Sequence, residues 1–313
     1  MEEEARSTQQ IVPILAVVAA MVFWGLSFVS SKAILNTGFP PMTMIFLRFF
    51  IASLVLFPLQ RRLHPGFRLP KSDRLFLLLS ALFGVFFYFL CESRGIQYTS
   101  ASNAALITAI IPALTVAAEY LLYRNSVRVY QGAGIALSIV GVYFVVQKTP
   151  GQFDRAALGN LLMFGACLSW VAYNLFSRNL HKGMRGVNLI TFQSMIATVL
   201  LLPFALSEVR FLSAGSWSAR SWSAGGAVVW LNLLYLGVIC TALSFFLYLY
   251  ALARLGAVRV TSFINLLPIV SVAGGMAILG EQLLLAQMIG GAVIVLGVFL
   301  VNSPGRNRPP ARG

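Results

Sequence analysis

Apolar stretches of about 20 residues, separated by short polar or basic breaks, recur along the chain from residue 11 to residue 302. A helix needs roughly 20 apolar residues to cross the hydrocarbon core of a bilayer. The pattern therefore predicts ten spans, at approximately 11–31, 43–60, 75–95, 102–122, 128–146, 158–178, 189–207, 227–250, 260–280 and 286–302. The chain also repeats itself. The segment from Pro112 to Val142 recurs at a constant offset of 156 residues, pairing Pro112 with Pro268, Val116 with Val272, Gly134 with Gly290 and Gly141 with Gly297. Five helices duplicated make an odd-number repeat, so the second copy must lie upside down in the bilayer. The expected fold is an all-α membrane protein of ten transmembrane helices, arranged as two inverted five-helix repeats over residues 1–150 and 151–313. Such repeats place a central site between halves that can rock against each other.

The polar positions inside the spans fall on single helix faces. Trp24, Ser27 and Ser31 share one face of span one, and Trp170, Tyr173, Asn174 and Ser177 are their counterparts in span six. Span three stacks Gly84, Tyr88 and Glu92, and span eight stacks Thr241, Ser244 and Tyr248. Span four aligns Thr108, Pro112, Thr115 and Glu119; span nine aligns Thr261, Asn265 and Pro268. Spacings of three and four residues put side chains on one side of a helix. Unsatisfied polar groups in hydrocarbon cost several kcal/mol, so these faces are expected to turn inward onto a shared cavity. Spans five and ten carry Gly134, Ser138 and Gly141, and Gly290 and Gly297, in otherwise aliphatic sequence. Small residues let backbones approach closely, which places these two spans outside the cavity, as scaffold or as a dimer contact.

Composition leaves no room for a soluble domain. Only 10% of the 313 residues are charged and mean hydropathy is +0.83, against about 25% charged in soluble domains. The net charge of +14 reads as orientation, not as nucleic-acid binding. Sixteen basic residues fall in the first tail and every second loop, and six, among them Lys32 and Arg94, fall on the opposite side. The positive-inside rule then puts both termini in the cytoplasm of a cell with this protein in its inner membrane. The first span is longer than a signal-peptide core and lacks a basic leader, so it is expected to be retained. Trp217 and Trp222, in the loop at 208–226, fit the membrane–water interface. Cys91, Cys167 and Cys240 lie within spans at spacings that match no metal motif, as buried packing residues.

Few residues are left to carry chemistry. Pro112 and Pro268 stand mid-helix at equivalent repeat positions, either as a paired hinge or as static kinks. Arg48 is the one basic residue deep in a span; it meets a substrate carboxylate, or, five residues into span two, snorkels to the interface. Glu92 and Glu119 are candidates for proton or cation coupling, the alternative being ion pairs at helix ends with Arg94 and Arg124. Trp24, Trp170, Tyr88, Tyr173 and Tyr248 offer aromatic walls with hydrogen-bonding tips, suited to amphipathic or aromatic solutes. The two histidines, His64 and His181, fall in loops. No metal-binding acid cluster, phosphate-binding glycine loop or serine–histidine dyad is present, so neither an intramembrane hydrolase nor an autonomous ATPase is expected, and no cofactor.

FWGLSFVSSKAIL at 23–35, the Arg48-Phe49 pair, GIQYTSASNAALITAIIP at 95–112 and GEQ at 280–282 together resemble the EamA-like drug/metabolite transporters. The resemblance covers nearly the whole chain. It implies a ten-helix inner-membrane carrier, often an exporter of amino acids, related metabolites or toxic compounds. In one respect the chain departs from the family, whose members often carry Gly-Glu after helix four as well as after helix nine. Here the first copy reads Arg124-Asn125, so the glutamate survives only as Glu281, which favours a structural role at a helix end. The function expected is secondary transport of a small amphipathic metabolite by alternating access. The substrate-binding residues would be Trp24, Ser27, Arg48, Tyr88, Thr108, Trp170, Tyr173, Asn174, Thr241, Ser244, Tyr248 and Asn265. Expected partners are the solute, the bilayer and a coupling proton or cation, with the protein a monomer or homodimer. The alternatives are the membrane subunit of an ATP-driven transporter and a vitamin, nucleoside or drug carrier of the same fold.

Overall fold

The computed structural model describes residues 2–123, 128–146, 153–177, 180, 184, 186–213, 226–255, 260 and 263–302. Among these residues every element is helical. Eight helices are long and apolar enough to cross a membrane: α1 (Ile11–Asn36), α2 (Pro41–Leu63), α3 (Lys71–Tyr98), α4 (Ala101–Leu122), α5 (Val129–Val146), α6 (Arg155–Ser177), α7 (Val187–Glu208) and α8 (Gly226–Leu255). Two shorter apolar helices follow, α9 (Phe263–Leu279) and α10 (Leu285–Val301). Large apolar side chains such as Leu54, Leu121, Val199 and Leu231 point outward and stay exposed. In water such a surface would drive aggregation; in a bilayer it is the surface lipid requires. Trp217, Trp222, Arg124, Asn125 and Thr261 lie outside the described residues.

Helices from the two halves of the chain interleave. α1 packs on α8 and α9, α6 packs on α3 and α4, and α2 packs on α7. Among the described residues α5 and α10 pack most extensively on each other, and glycine is the reason. A Cβ at Gly141 would lie 2.7 Å from the Gly290 carbonyl oxygen, and one at Gly290 2.6 Å from the Gly141 oxygen. One at Gly297 would lie 2.6 Å from the oxygen of Gly134. Gly134 therefore faces Gly297 and Gly141 faces Gly290, so the helices run antiparallel with their backbones touching. These small residues are consumed by the contact of α5 with α10.

Two helices widen in mid-membrane. α3 runs as π-helix over Leu82–Phe87 and α8 over Tyr235–Leu243. In α8 the hydroxyls of Thr241 and Ser244 donate to the carbonyls five residues back, Leu236 at 2.8 Å and Ile239 at 2.7 Å, instead of the usual three or four. A π turn loosens the backbone ladder and frees carbonyls for other donors. Ser169 of α6 donates to the Phe83 oxygen at 2.7 Å, and Trp24 Nε1 of α1 donates to the Cys240 oxygen at 2.8 Å. Each widened helix is thus tied to the first helix of the opposite half.

The prolines do not stand mid-helix, contrary to the expectation from sequence. α4 stops being α-helical at Ala109 and Ile110, where the Ile110 amide turns back to Ile107, and it restarts at Ile111 with Pro112 as the second residue. α9 opens with one 3₁₀ turn, Phe263–Asn265, and becomes α-helical from Leu266, with Pro268 in the first turn. Proline has no N–H to give and clashes with the preceding turn, so it is accommodated where a helix begins. The break also interrupts the single face proposed for Thr108, Pro112, Thr115 and Glu119.

Candidate functional site

Two aromatic groups and one arginine occupy the interior where α1, α2, α3, α6 and α8 meet. The Trp24 ring lies 5.1 Å from Phe245 and 5.4 Å from Tyr248, centroid to centroid. The Trp170 ring lies 4.9 Å from Tyr88 and 4.8 Å from Tyr173. Each tryptophan comes from the first helix of one half and packs on the third helix of the other. Gly84 makes the second arrangement feasible, because a Cβ there would overlap the Tyr173 ring. The spacing Gly84, Tyr88 therefore does mark one face of α3, the one turned to α6.

Arg48 is 8% exposed. Its Nε donates to Thr241 Oγ1 at 3.2 Å, and its guanidinium carbon lies 4.5 Å from the Phe89 ring centroid and 5.8 Å from that of Phe49. It does not snorkel: Arg48 lies on the buried face of α2 with Met44, Ile45 and Ala52 and so turns to the bundle. Glu92 is 6% exposed and accepts a bond from the Tyr88 hydroxyl at 3.2 Å. The ion pair expected between Glu92 and Arg94 is not made. Arg94 pairs instead with Glu208 of α7 at 3.4 Å, because successive residues near 92 and 94 point to different sides of α3. Arg48 and Glu92 are both buried and are not in ion-pair contact with each other.

The other predicted positions are spread around this centre. Ser27, Thr108 and Ser244 donate to carbonyls of their own helices, at 2.7, 2.8 and 2.7 Å. Asn174 in α6 and Asn265 at the start of α9 are half-buried. Glu119 is half-buried in the second part of α4. Cys167 and Cys240 are buried thiols donating to the Ile107 and Phe23 carbonyls, as packing residues would. Gln193, which the sequence places near the repeat counterpart of Arg48 and which cannot do the same job, is 2% exposed and donates to Ser80 Oγ of α3 at 3.0 Å. Sequence reasoning missed Asn103 and Asn160, joined at 2.7 Å, and it assigned Lys32 to a loop. Lys32 lies in α1 and caps the end of α3, donating to the Ile96 and Thr99 oxygens at 2.8 and 2.7 Å. An amphipathic lysine at the end of a span beside a serine pair was the available signal.

The EamA-like transporter family model matches this chain twice, over residues 11–147 and 157–303. The chain belongs to the EamA-like transporter family. Among curated relatives of this EamA-like protein, the uncharacterized transporter YetK of Bacillus subtilis is 28% identical, over 91% of this chain and 85% of the relative. A probable amino-acid metabolite efflux pump of Salmonella typhimurium is 27% identical, over 90% and 91%. A solved crystal structure at 18% identity superposes with a TM-score of 0.60, covering 93% of this chain and 97% of its own, a likeness of fold. The EamA-like chain is accordingly a multi-pass membrane transporter.

Proposed function

We propose that the protein is an autonomous secondary carrier, not an enzyme, that exports a small amphipathic metabolite by alternating access, with an amino acid or related aromatic compound as the solute class. The observation that carries this reading is the interior arrangement of Arg48 and Glu92. Both side chains are buried, Arg48 bonded to Thr241 and Glu92 to Tyr88, and the two tryptophan groups flank them. Isolated charges inside a span are costly and mark solute or ion pathways. In this reading Arg48 meets a solute carboxylate, the aromatic rings hold its apolar part, and Glu92 carries the coupling proton or cation, with Glu119 a second candidate. The name of the Salmonella relative supports the solute class for this chain.

The ten spans form two inverted repeats in this reading, over residues 1–150 and 151–313. Three observations support it: the family match falls once in each half, the α5–α10 glycine contacts exchange into each other under the 156-residue offset, and Pro58 and Pro203 stand ten residues beyond Arg48 and Gln193. Both termini lie in the cytoplasm and the membrane is the inner one. The protein works as a monomer or homodimer.

Tryptophan fluorescence of the purified protein, titrated with amino acids, vitamins and organic cations, tests the site. A saturable response that disappears in Trp24→Phe and Trp170→Phe is the expected result. A response unaltered by both substitutions would move the solute elsewhere.

A further inference from the structure

Polar groups tie the helices together at one end of the bundle, where α1, α3 and α9 finish and α4 begins. The carboxylate of Glu281, just past α9, accepts bonds from the Ala101 amide at 2.7 Å, the Ser102 amide at 2.9 Å and the Ser102 hydroxyl at 2.6 Å. These are the first two amides of α4, which the helix itself leaves unpaired, and they are the positive end of its dipole. Gly280, at φ +66°, turns the chain out of α9 and delivers the carboxylate there. Gly275 leaves it room, since a Cβ at that position would lie 2.6 Å from Glu281 Oε2. Lys32 crosses from α1 to the end of α3, and its charge acts on Glu281. Thr99 and Asn103 both donate to Asn160 Oδ1, at 3.1 and 2.7 Å, joining the start of α6 to the same knot.

The opposite end is closed by different chemistry. There Val17 and Met21 of α1 pack on Ala251 of α8 and on Val260 and Phe263 at the start of α9. A neutral bond from Gln60 to Asn188 joins α2 to α7 at 3.1 Å.

We propose that the Glu281 carboxylate is the latch of a gate at its end of the bundle: seated on α4 it holds that end shut, and its withdrawal is the opening step. This rests on the alternating-access, two-repeat reading above. A single carboxylate making three bonds across halves is a discrete, all-or-none contact. The sequence makes the latch one-sided. Position 125, which precedes Glu281 by the repeat offset of 156, is Asn125, so the equivalent position of the first half carries no carboxylate. The resting carrier is therefore biased toward the conformation in which the Glu281 end is closed, the conformation of this structure.

The test is a distance measurement by electron–electron double resonance on the full chain in proteoliposomes. Spin labels replace the exposed Gln97 and Leu284, in a cysteine-free background with intact counterflow. Charged hydrogen bonds contribute enough that losing them changes a two-state ratio about tenfold or more. Glu281→Gln is therefore expected to raise the ratio of the longer to the shorter distance at least about tenfold, and Glu281→Asp to give an intermediate ratio. Ser102→Ala removes one of the three bonds and gives a smaller shift in the same direction, which keeps the test open where Glu281→Gln does not fold. Asn125→Glu, by installing a carboxylate in the other half, also raises the longer distance. Distances in Glu281→Gln and Ser102→Ala identical to wild type, with only a lower melting temperature, would reduce Glu281 to a helix cap and overturn the latch. No shift in Asn125→Glu would overturn the one-sidedness. Substrate titration of the wild type separates these from the reading beneath: two distances exchanging with substrate keep alternating access whatever Glu281 does, and a single unresponsive distance removes it.

Discussion

Replacing Arg48 by methionine separates transport from stability, because the structure predicts opposite outcomes for the two. The substitution removes the charged bond to Thr241 at 3.2 Å, a loss of about 1.5–3 kcal/mol. It also removes the contact with the Phe89 ring at 4.5 Å, about 2 kcal/mol for a desolvated cation–π pair. Against this, it relieves a cost of roughly 2.5–3.5 kcal/mol for holding an arginine inside a span. The difference is a net loss of roughly 0–2.5 kcal/mol, and methionine fills a volume similar to that of the arginine stem, so the protein should fold. Transport should not survive as well. A solute carboxylate deprived of its charged partner loses about 1.5–3 kcal/mol of binding, which corresponds to roughly a 10–150-fold rise in KM. Arg48→Lys should fall between, because an ammonium keeps the charge but not the planar fork. The assay is counterflow in proteoliposomes across a range of solute concentrations, with thermal unfolding of the same preparations in detergent. A wild-type KM in a well-folded Arg48→Met protein would refute the assignment of Arg48 to the solute.

Three further perturbations address other parts of the account. Pro112→Ala and Pro268→Ala should each slow counterflow while leaving expression largely intact; unchanged rates in both would make the helix restarts static. Glu92→Gln should keep counterflow but lose uphill accumulation driven by a proton or cation gradient, and unchanged uphill accumulation would remove Glu92 from coupling. Gly141→Leu forces a side chain into the backbone contact of α5 with α10, where even a Cβ lies 2.7 Å from the Gly290 oxygen. Overpacking of this kind costs about 1–3 kcal/mol or more, so the melting temperature in detergent should drop, and a wild-type value would contradict the antiparallel contact.

Helix positions were legible in the sequence because they depend on local periodicity, and so was the face of α3 that carries Gly84 and Tyr88 and turns to α6. The glycines of α5 and α10 were recognisable as a packing device, but which helix they would meet depends on a contact more than 140 residues away in the chain. Arg48 looked close enough to the interface to snorkel, since its distance from the end of a span says nothing about which way it faces. Glu281 shows the same limit: its family resemblance marked a helix end, while the helix it serves, α4, begins 180 residues earlier at Ala101. The π-helical widening of α3 and α8 was not read from the sequence, and the carbonyls it frees are met by Ser169 and Trp24 from helices distant in the chain. The prolines misled in a definite way. Proline inside an apolar run can kink a helix or restart one, and the backbone at Ala109–Ile110 takes the second course.

The measurement that tests the central claim most directly is counterflow by the purified protein alone, in proteoliposomes without ATP, against amino acids, vitamins and organic cations. The account predicts that labelled solute accumulates against an unlabelled internal pool for at least one amino acid or aromatic compound. Absence of flux across the whole panel, in vesicles where the protein is demonstrably folded, would contradict an autonomous carrier.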